Sequence, residues 1–407
     1  GGSLTAYTPH TLNVNIERLR HIGQSTSPAT LWTNPCTLGP TNYVDTTNAN
    51  NNATVYKGCA PLTAANAAAE ANGGPNKPHG GFSDVEAALF PASIGGGDVS
   101  TVGVEDSAYV GQVFGVVVSK PLYRAMQVKQ GIAANTDALD PNYDVANAPN
   151  ITSQEYASIA VQGIGTSYQT DWSAIAGAAG TGKKVILARR VATSGTQASS
   201  NAFFLRSPCT GTAALSPAVA GDSSASFEVF EGSGTGNVKT RLTRASDGFE
   251  SNTGTVLNPN NTFAIGVVSA ENDWRIDAAA SAGYRFVKVD GVHPEAGETI
   301  TPTNGGNART TAANGAYNFH MELKTFVSNF ALANPTSFAA TIIPQIAANL
   351  NNPQTTACAV LPRGLTLNPT NPAFGASVSG YGNCTLGAQV HKGSNSGNNC
   401  SATQLFF

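Results

Sequence analysis

Three short runs constrain this chain more than any other feature: "GQVFGVVVS" at 111–119, "KKVILARR" at 183–190 and "TFAIGVVSA" at 262–270. Their cores are continuous, apolar and rich in β-branched residues. A strand with one face in water alternates polar and apolar side chains, so runs like these predict strands covered on both faces, as in a mainly parallel sheet. Between and after them lie segments with helical character, "SQEYASIAVQG", "TDWSAIAG" and "QASSNAFFLR". Strands alternating with helices belong to α/β folds, whose ligands sit at the carboxyl ends of strands beside helix N-termini. "YRFVKVDGV" adds an alternating strand, and "GFSDVEAALF" reads as a strand end passing into a short helix stopped by Pro91. Leu12, Ile16 and Leu19 predict a helix over 5–21 that ends at Gly23.

At 407 residues the chain is longer than one hydrophobic core usually serves, so two lobes are expected. Charged residues make up 12%, against roughly 25% in ordinary soluble domains. Asn, Thr, Ser and Gln must wet the surface instead, which suits a periplasmic or extracellular protein. A net charge of -3 and a pI near 6.1 leave no basic stripe for phosphate backbones, which excludes nucleic acid as a partner. The apolar runs fall far short of the about 20 residues that cross a bilayer, so no membrane span is expected. The sequence opens on Gly1 with no Met or signal peptide, as expected of a processed product or a piece of a longer chain.

Cysteines stand at Cys36, Cys59, Cys209, Cys358, Cys384 and Cys400, with no CxxC pair and no His at ligand spacing. Disulfides fit this pattern better than zinc, and neither a metal nor a cofactor is expected. Sequence does not choose among the pairings. Short loop closure favours Cys36 with Cys59 and Cys384 with Cys400, leaving Cys209 for Cys358. The Asn- and Ala-rich stretch 24–80 reads as a surface excursion, and 353–407 as an irregular, disulfide-stapled appendage.

Four places could carry chemistry. "GAAGTGKK" at 177–184 matches a phosphate-loop pattern but offers Lys184 where a hydroxyl is needed, and it runs from helix to strand, the reverse of the required order. A Gly-rich turn explains it better. "RRVATSGTQASSNAFF" at 189–204 has the right order. A buried strand enters a loop, and the helix that follows aims its first free N–H groups at that loop. Gly195 permits close approach, Thr193, Ser194 and Thr196 carry hydroxyls, and an arginine can fork onto an oxyanion. The competing reading is a capping box, in which Ser194 and Gln197 merely close the helix start. "GFSDV" poses the same choice: Ser83 or Asp84 caps a helix, or Asp84 accepts a hydrogen bond from a protonated ligand oxygen. "GGS" at the start repeats the grammar with Ser3.

Together "GGS", "FSD" and "R-V-A-T-S-G-T" resemble the substrate-binding proteins of phosphate ABC transporters, a type 2 periplasmic-binding-protein fold with two lobes. "TDWSAIAG", "NNTFAIGVV" and "YRFVKVDGVHP" extend the resemblance over most of 80–330. It implies lobe I at 1–114, carrying the insertion 24–80, and at 264–407 with its cysteine-rich appendage. Lobe II would be 115–263. It makes Arg190, Ser194, Gly195 and Thr196 an anion clamp, with Thr193 beside them, Asp84 a proton-sensing acceptor and Ser3 a hydroxyl donor. Arg189 is a lesser candidate, because adjacent strand residues face opposite sides. The family's opening strand should precede "GGS", and its absence here is expected to mean that it is cleaved, missing, or donated in trans by another chain.

Two functions follow. One is a solute-binding protein that captures a small oxyanion, phosphate by expectation, and serves an ABC transporter permease without catalysing a reaction. The other is an extracellular structural or filament-forming protein that reuses the fold and self-assembles. An enzyme is disfavoured, since the six histidines stand in no nucleophile or metal motif.

Overall fold

The computed structural model describes residues 80–91, 97–132, 145–161, 171–210, 214–222, 224–247, 258–278, 281–333, 338–350, 361–369 and 390–405. The helix expected at 5–21, Ser3, nearly all of the 24–80 excursion, and Cys36, Cys59, Cys358 and Cys384 lie outside them.

One strand organises the molecule. β2 (Gly103–Ser119) runs through an eight-stranded sheet of order β1-β9-β2-β6-β4-β5, with two further short strands, β7 and β10, along its edges. Its first part, to Val113, pairs with β9 (His320–Ser328), which in turn pairs with β1 (Gly80–Ser83); β10 (Leu365–Leu367) lies on the other edge. From Phe114 onward it pairs with β6 (Ala264–Ser269) and β7 (Tyr284–Phe286). β6 leads on to β4 (Val185–Arg190) and β5 (Phe227–Gly232). A small parallel pair, β3 (Asn150–Ile151) with β8 (Lys288–Val289), lies apart.

The expectation of a mainly parallel sheet is corrected here. Every partner of β2 is antiparallel, and within the eight-stranded sheet only β4 with β5 and β4 with β6 run parallel. The apolar run is continuous because both faces are covered, whatever the strand direction. Val116, Val118, Val185, Leu187, Val229, Ile265 and Val267 join one buried cluster with Ala198, Ala202 and Phe204 of α4 (Gly195–Leu205). Val117, Ile186, Ala188, Phe230, Ala264 and Val268 join another with Val238, Leu242 and Ala245 of α5 (Thr235–Asp247). The period of two is intact, but each face meets a helix.

α1 (Lys120–Lys129), α2 (Ser153–Ala160) and α3 (Ser173–Ala176) precede β4. After β8 come α6 (Thr310–Ala313), α7 (Asn329–Ala333) and α8 (Phe338–Leu350), and β11 (Gly393–Ser394) with β12 (Gln404–Leu405) closes the chain. Residues read as an appendage thus supply β10 to the main sheet. Among the described residues no helix is long and apolar enough to cross a membrane.

The disulfide pairing is also corrected. Cys209 is bonded to Cys400, 191 residues apart in sequence. Neither Cys384–Cys400 nor Cys209–Cys358 can then exist. Loop-closure entropy favours short spans only while the chain is unfolded. Here residues 390–400 pack back across β9, where Asn399 Oδ1 accepts from Glu322 N–H at 2.8 Å, and this brings Cys400 to the loop after α4.

Candidate functional site

β4 ends with two arginines that diverge as strand alternation requires. Arg189 donates to Glu231 Oε2 of β5 at 2.7 Å and is committed to that pair. Arg190 points to the α5 side, where Nη1 donates to Thr235 Oγ1 at 2.8 Å and Nη2 to the Ser233 carbonyl at 2.9 Å. Its guanidinium therefore stands at the start of α5 in a fixed orientation.

The chain then turns tightly, Ser194 N–H donating to the Val191 carbonyl at 2.9 Å, and enters α4 at Gly195. Ser194 occupies the N-cap position with extended backbone, but its side chain makes no cap hydrogen bond. Gln197 Oε1 accepts instead from Arg190 N–H at 3.1 Å, and its Nε2 donates to Asn201 Oδ1 at 2.8 Å. The capping box that Ser194 and Gln197 spell in sequence is therefore not formed. α2 shows the contrast: Thr152 Oγ1 accepts from Glu155 N–H and Glu155 Oε2 accepts from Thr152 N–H. Ser194, Gly195 and Thr196 are buried and Thr193 is half-buried. The mouth of α4 keeps its dipole and first N–H groups without a side-chain cap.

Asp84 fills the space in front of it. A Cβ built on Gly195 would lie 2.6 Å from both Cβ and Oδ2 of Asp84, so only glycine allows this approach. Asp84 does not cap the short helical turn Ala87–Leu89; Ala87 N–H donates to Glu105 Oε1 at 2.8 Å, and Ser83 Oγ takes Val85 N–H. Burial pushes the Asp84 carboxyl up to about 6 against the pull of Arg190, and the charge of Glu271 adds to the rise. Glu271 follows β6 and accepts from Ser269 Oγ at 3.1 Å.

The structure thus brings Asp84, Gly195 and Arg190 together, with Ser194 and Thr196 at the helix mouth. Two features escaped sequence reasoning. Ser233 and Thr235 orient Arg190, and Glu271 adds a second carboxylate near Asp84. Glu271 lies in "SAENDW" at 269–274, and its place directly after a buried strand was the available signal. The Gly-rich turn at 177–184 runs from helix to strand as expected, and Lys184 pairs with Glu228 at 3.5 Å.

Gly195→Ala tests this geometry by its sign. Alanine at an unobstructed helix position would stabilise by up to about 1 kcal/mol. Here the clash with Asp84 is expected to destabilise by about 1–3 kcal/mol, read by urea unfolding.

Fold and site together define a mixed α/β protein in which an uncapped helix mouth, an arginine and a half-buried carboxyl group meet at the carboxyl ends of β4 and β6. No protein-family model and no curated protein matches the chain. Among solved structures it is similar to a putative phosphate ABC transporter substrate-binding protein with bound phosphate from Clostridium perfringens. The two are 14% identical over 67% of this chain and 73% of that one, with a TM-score of 0.34. It is also similar to an ABC-type phosphate transport receptor from Vibrio cholerae, 12% identical over 70% of this chain and 78% of that one, with a TM-score of 0.33. Both likenesses are distant.

Proposed function

We propose that this protein is a solute-binding protein that captures a small oxyanion, with phosphate as the expected ligand. The observation that carries the reading is the mouth of α4, a buried and uncapped helix start with Asp84 pressed against Gly195 and Arg190 beside it. Backbone N–H groups and the dipole favour an anion there without a metal. The ligand would lie between residues 1–114 with 264–407 on one side and 115–263 on the other, and closure of the two lobes would complete its bonds. Delivery to an ABC transporter permease from a periplasmic or extracellular location fits this role, and binding requires no chemistry on the ligand.

The test is isothermal titration of the ligand-stripped protein with phosphate and then sulfate. One-to-one binding of phosphate supports the reading. No heat with either anion, in protein shown to be folded, moves the function to extracellular self-assembly.

Asp84 supplies a pH prediction. Sulfate stays fully ionised between pH 5 and 8 by its own chemistry, so the ionised carboxylate repels it while accepting a hydrogen bond from the O–H of hydrogen phosphate. Sulfate affinity is expected to rise by about tenfold as pH falls through about 6, the worth of one charge-assisted hydrogen bond. In Asp84→Asn sulfate affinity should be flat with pH, and the preference for phosphate at pH 8 should shrink. Stability has its own sign. A carboxyl raised above its ordinary value contributes stability that is full below the ordinary carboxylate range and is lost as pH rises through about 6. Anion-free native protein should therefore melt lower at pH 7 than at pH 5, and Asp84→Asn should remove the part of that difference due to Asp84. An unchanged pH profile in the variant would leave Asp84 a structural residue.

A further inference from the structure

We infer that residues 390–400 form a covalently latched strap across the two halves of the sheet, and that opening the Cys209–Cys400 bond frees the junction between Asp84 and α4. On one side the strap lies on β9 and the turn after β1. Glu322, 3% exposed, accepts from Ser394 Oγ at 2.7 Å, from Asn395 N–H at 3.1 Å and from Gly397 N–H at 3.0 Å. Glu86, 7% exposed and two residues from Asp84, accepts Asn399 N–H at 2.7 Å, while Asn399 Oδ1 receives Glu322 N–H at 2.8 Å. These bonds all fall on the half of the sheet that holds β1 and β9.

The disulfide carries the strap to the other half, because Cys209 follows α4, which covers β4 and β6. α4 is wedged between the halves, with every residue from Gly195 to Leu205 buried except Phe203. Its own packing against the β9 half runs through the rings of Phe203 and Phe204 on Phe319, at 4.7 and 4.9 Å between centroids. A latch at 209 therefore holds the C-terminal end of α4, and the Asp84 contact holds its mouth. Cys400 is exposed, so a reductant can reach the bond. The reaction is thiol–disulfide exchange with a dithiol. One thiolate of the dithiol attacks a sulfur of the pair to give a mixed disulfide, and its second thiol displaces the protein sulfur. The dithiol leaves as a cyclic disulfide, and Cys209 and Cys400 take up two electrons and two protons.

The test needs no ligand, so it stands or falls apart from the anion reading. Amide hydrogen exchange is compared between the native protein and C209S/C400S at a pH where both are folded. Amides of 84–90 and 194–204 are expected to exchange about tenfold faster in the variant, while those of β4 and β5 keep their native rates, as for a sub-global opening. Equal rates at 84–90 and 194–204 would overturn the strap. So would a uniform acceleration that includes β4 and β5, since the bond would then be a general stabiliser. If the variant does not fold, the same comparison is made on native protein under a graded dithiol series, with mass-spectrometric thiol mapping to identify the samples in which 209 and 400 are open.

Discussion

Arg190→Ala is expected to weaken phosphate binding by more than about a hundredfold while leaving the circular-dichroism spectrum unchanged. A guanidinium that forks onto an anion contributes two charge-assisted hydrogen bonds, each worth about 1.5–3 kcal/mol, and about 1.4 kcal/mol is tenfold in affinity. Arg190 is suited to this because Thr235 Oγ1 and the Ser233 carbonyl already hold its plane, so little rotamer freedom remains to be lost on binding. The side chain is half-buried at a strand end. The measurement is titration calorimetry of variant and native protein side by side. Arg190→Lys separates charge from geometry. It should recover a minor part of the affinity, since an ammonium cannot reproduce the fork. Unchanged affinity in Arg190→Ala would remove the residue from the site.

Glu295→Ala is expected to destabilise the protein by about 3–5 kcal/mol, the cost of stripping one partner from a buried ionic network. Glu295 is 1% exposed. It receives Arg275 Nη1 and Nη2, each at 3.1 Å, and Arg363 as well. Arg275 also donates to Asp273 Oδ1 at 3.0 Å, and Gly305 N–H donates to Asp273 Oδ2 at 2.7 Å. Burial opposes ionisation of Asp273, but the Gly305 and Arg275 backbone bonds and the Arg363 and Arg275 charges outweigh it and hold its carboxyl below the usual range. With Glu295 gone, two guanidinium groups would face one remaining carboxylate. The network ties the segment after β6 to 293–306 and to Arg363, so it fixes the chain that carries Glu271. Urea unfolding should show a lower midpoint at unchanged slope. The stability that Asp273 supplies is present at neutral pH and lost as pH falls through its depressed titration, so acid should unfold the variant earlier than the native protein. A loss under about 1 kcal/mol would mean that water already reaches the network.

How much of this could be read from residues alone differs from element to element. β2, β4 and β6 were legible because their side chains have no wet face, and that property depends on composition. Their relative direction was not, since antiparallel and parallel strands bury the same side chains once helices cover both faces. The helix at Gly195 was legible from Ser-x-x-Gln, yet the box it spells is not formed. Arg190 N–H, 3.1 Å away, takes the oxygen that a capping box would have used locally. The pairing of Cys209 with Cys400 was invisible because it depends on where the last residues lie across β9.

By itself, then, the sequence determined the buried strands, the helix that follows β4 and the glycine at its mouth, because each depends on residues near one another in the chain. Only the tertiary structure decided that Asp84 meets Gly195, that Ser233 and Thr235 orient Arg190, and that Cys400 reaches Cys209. Those contacts join residues that lie from 43 to 191 positions apart in the chain. Their energy comes from burial shared between elements, which no local pattern records.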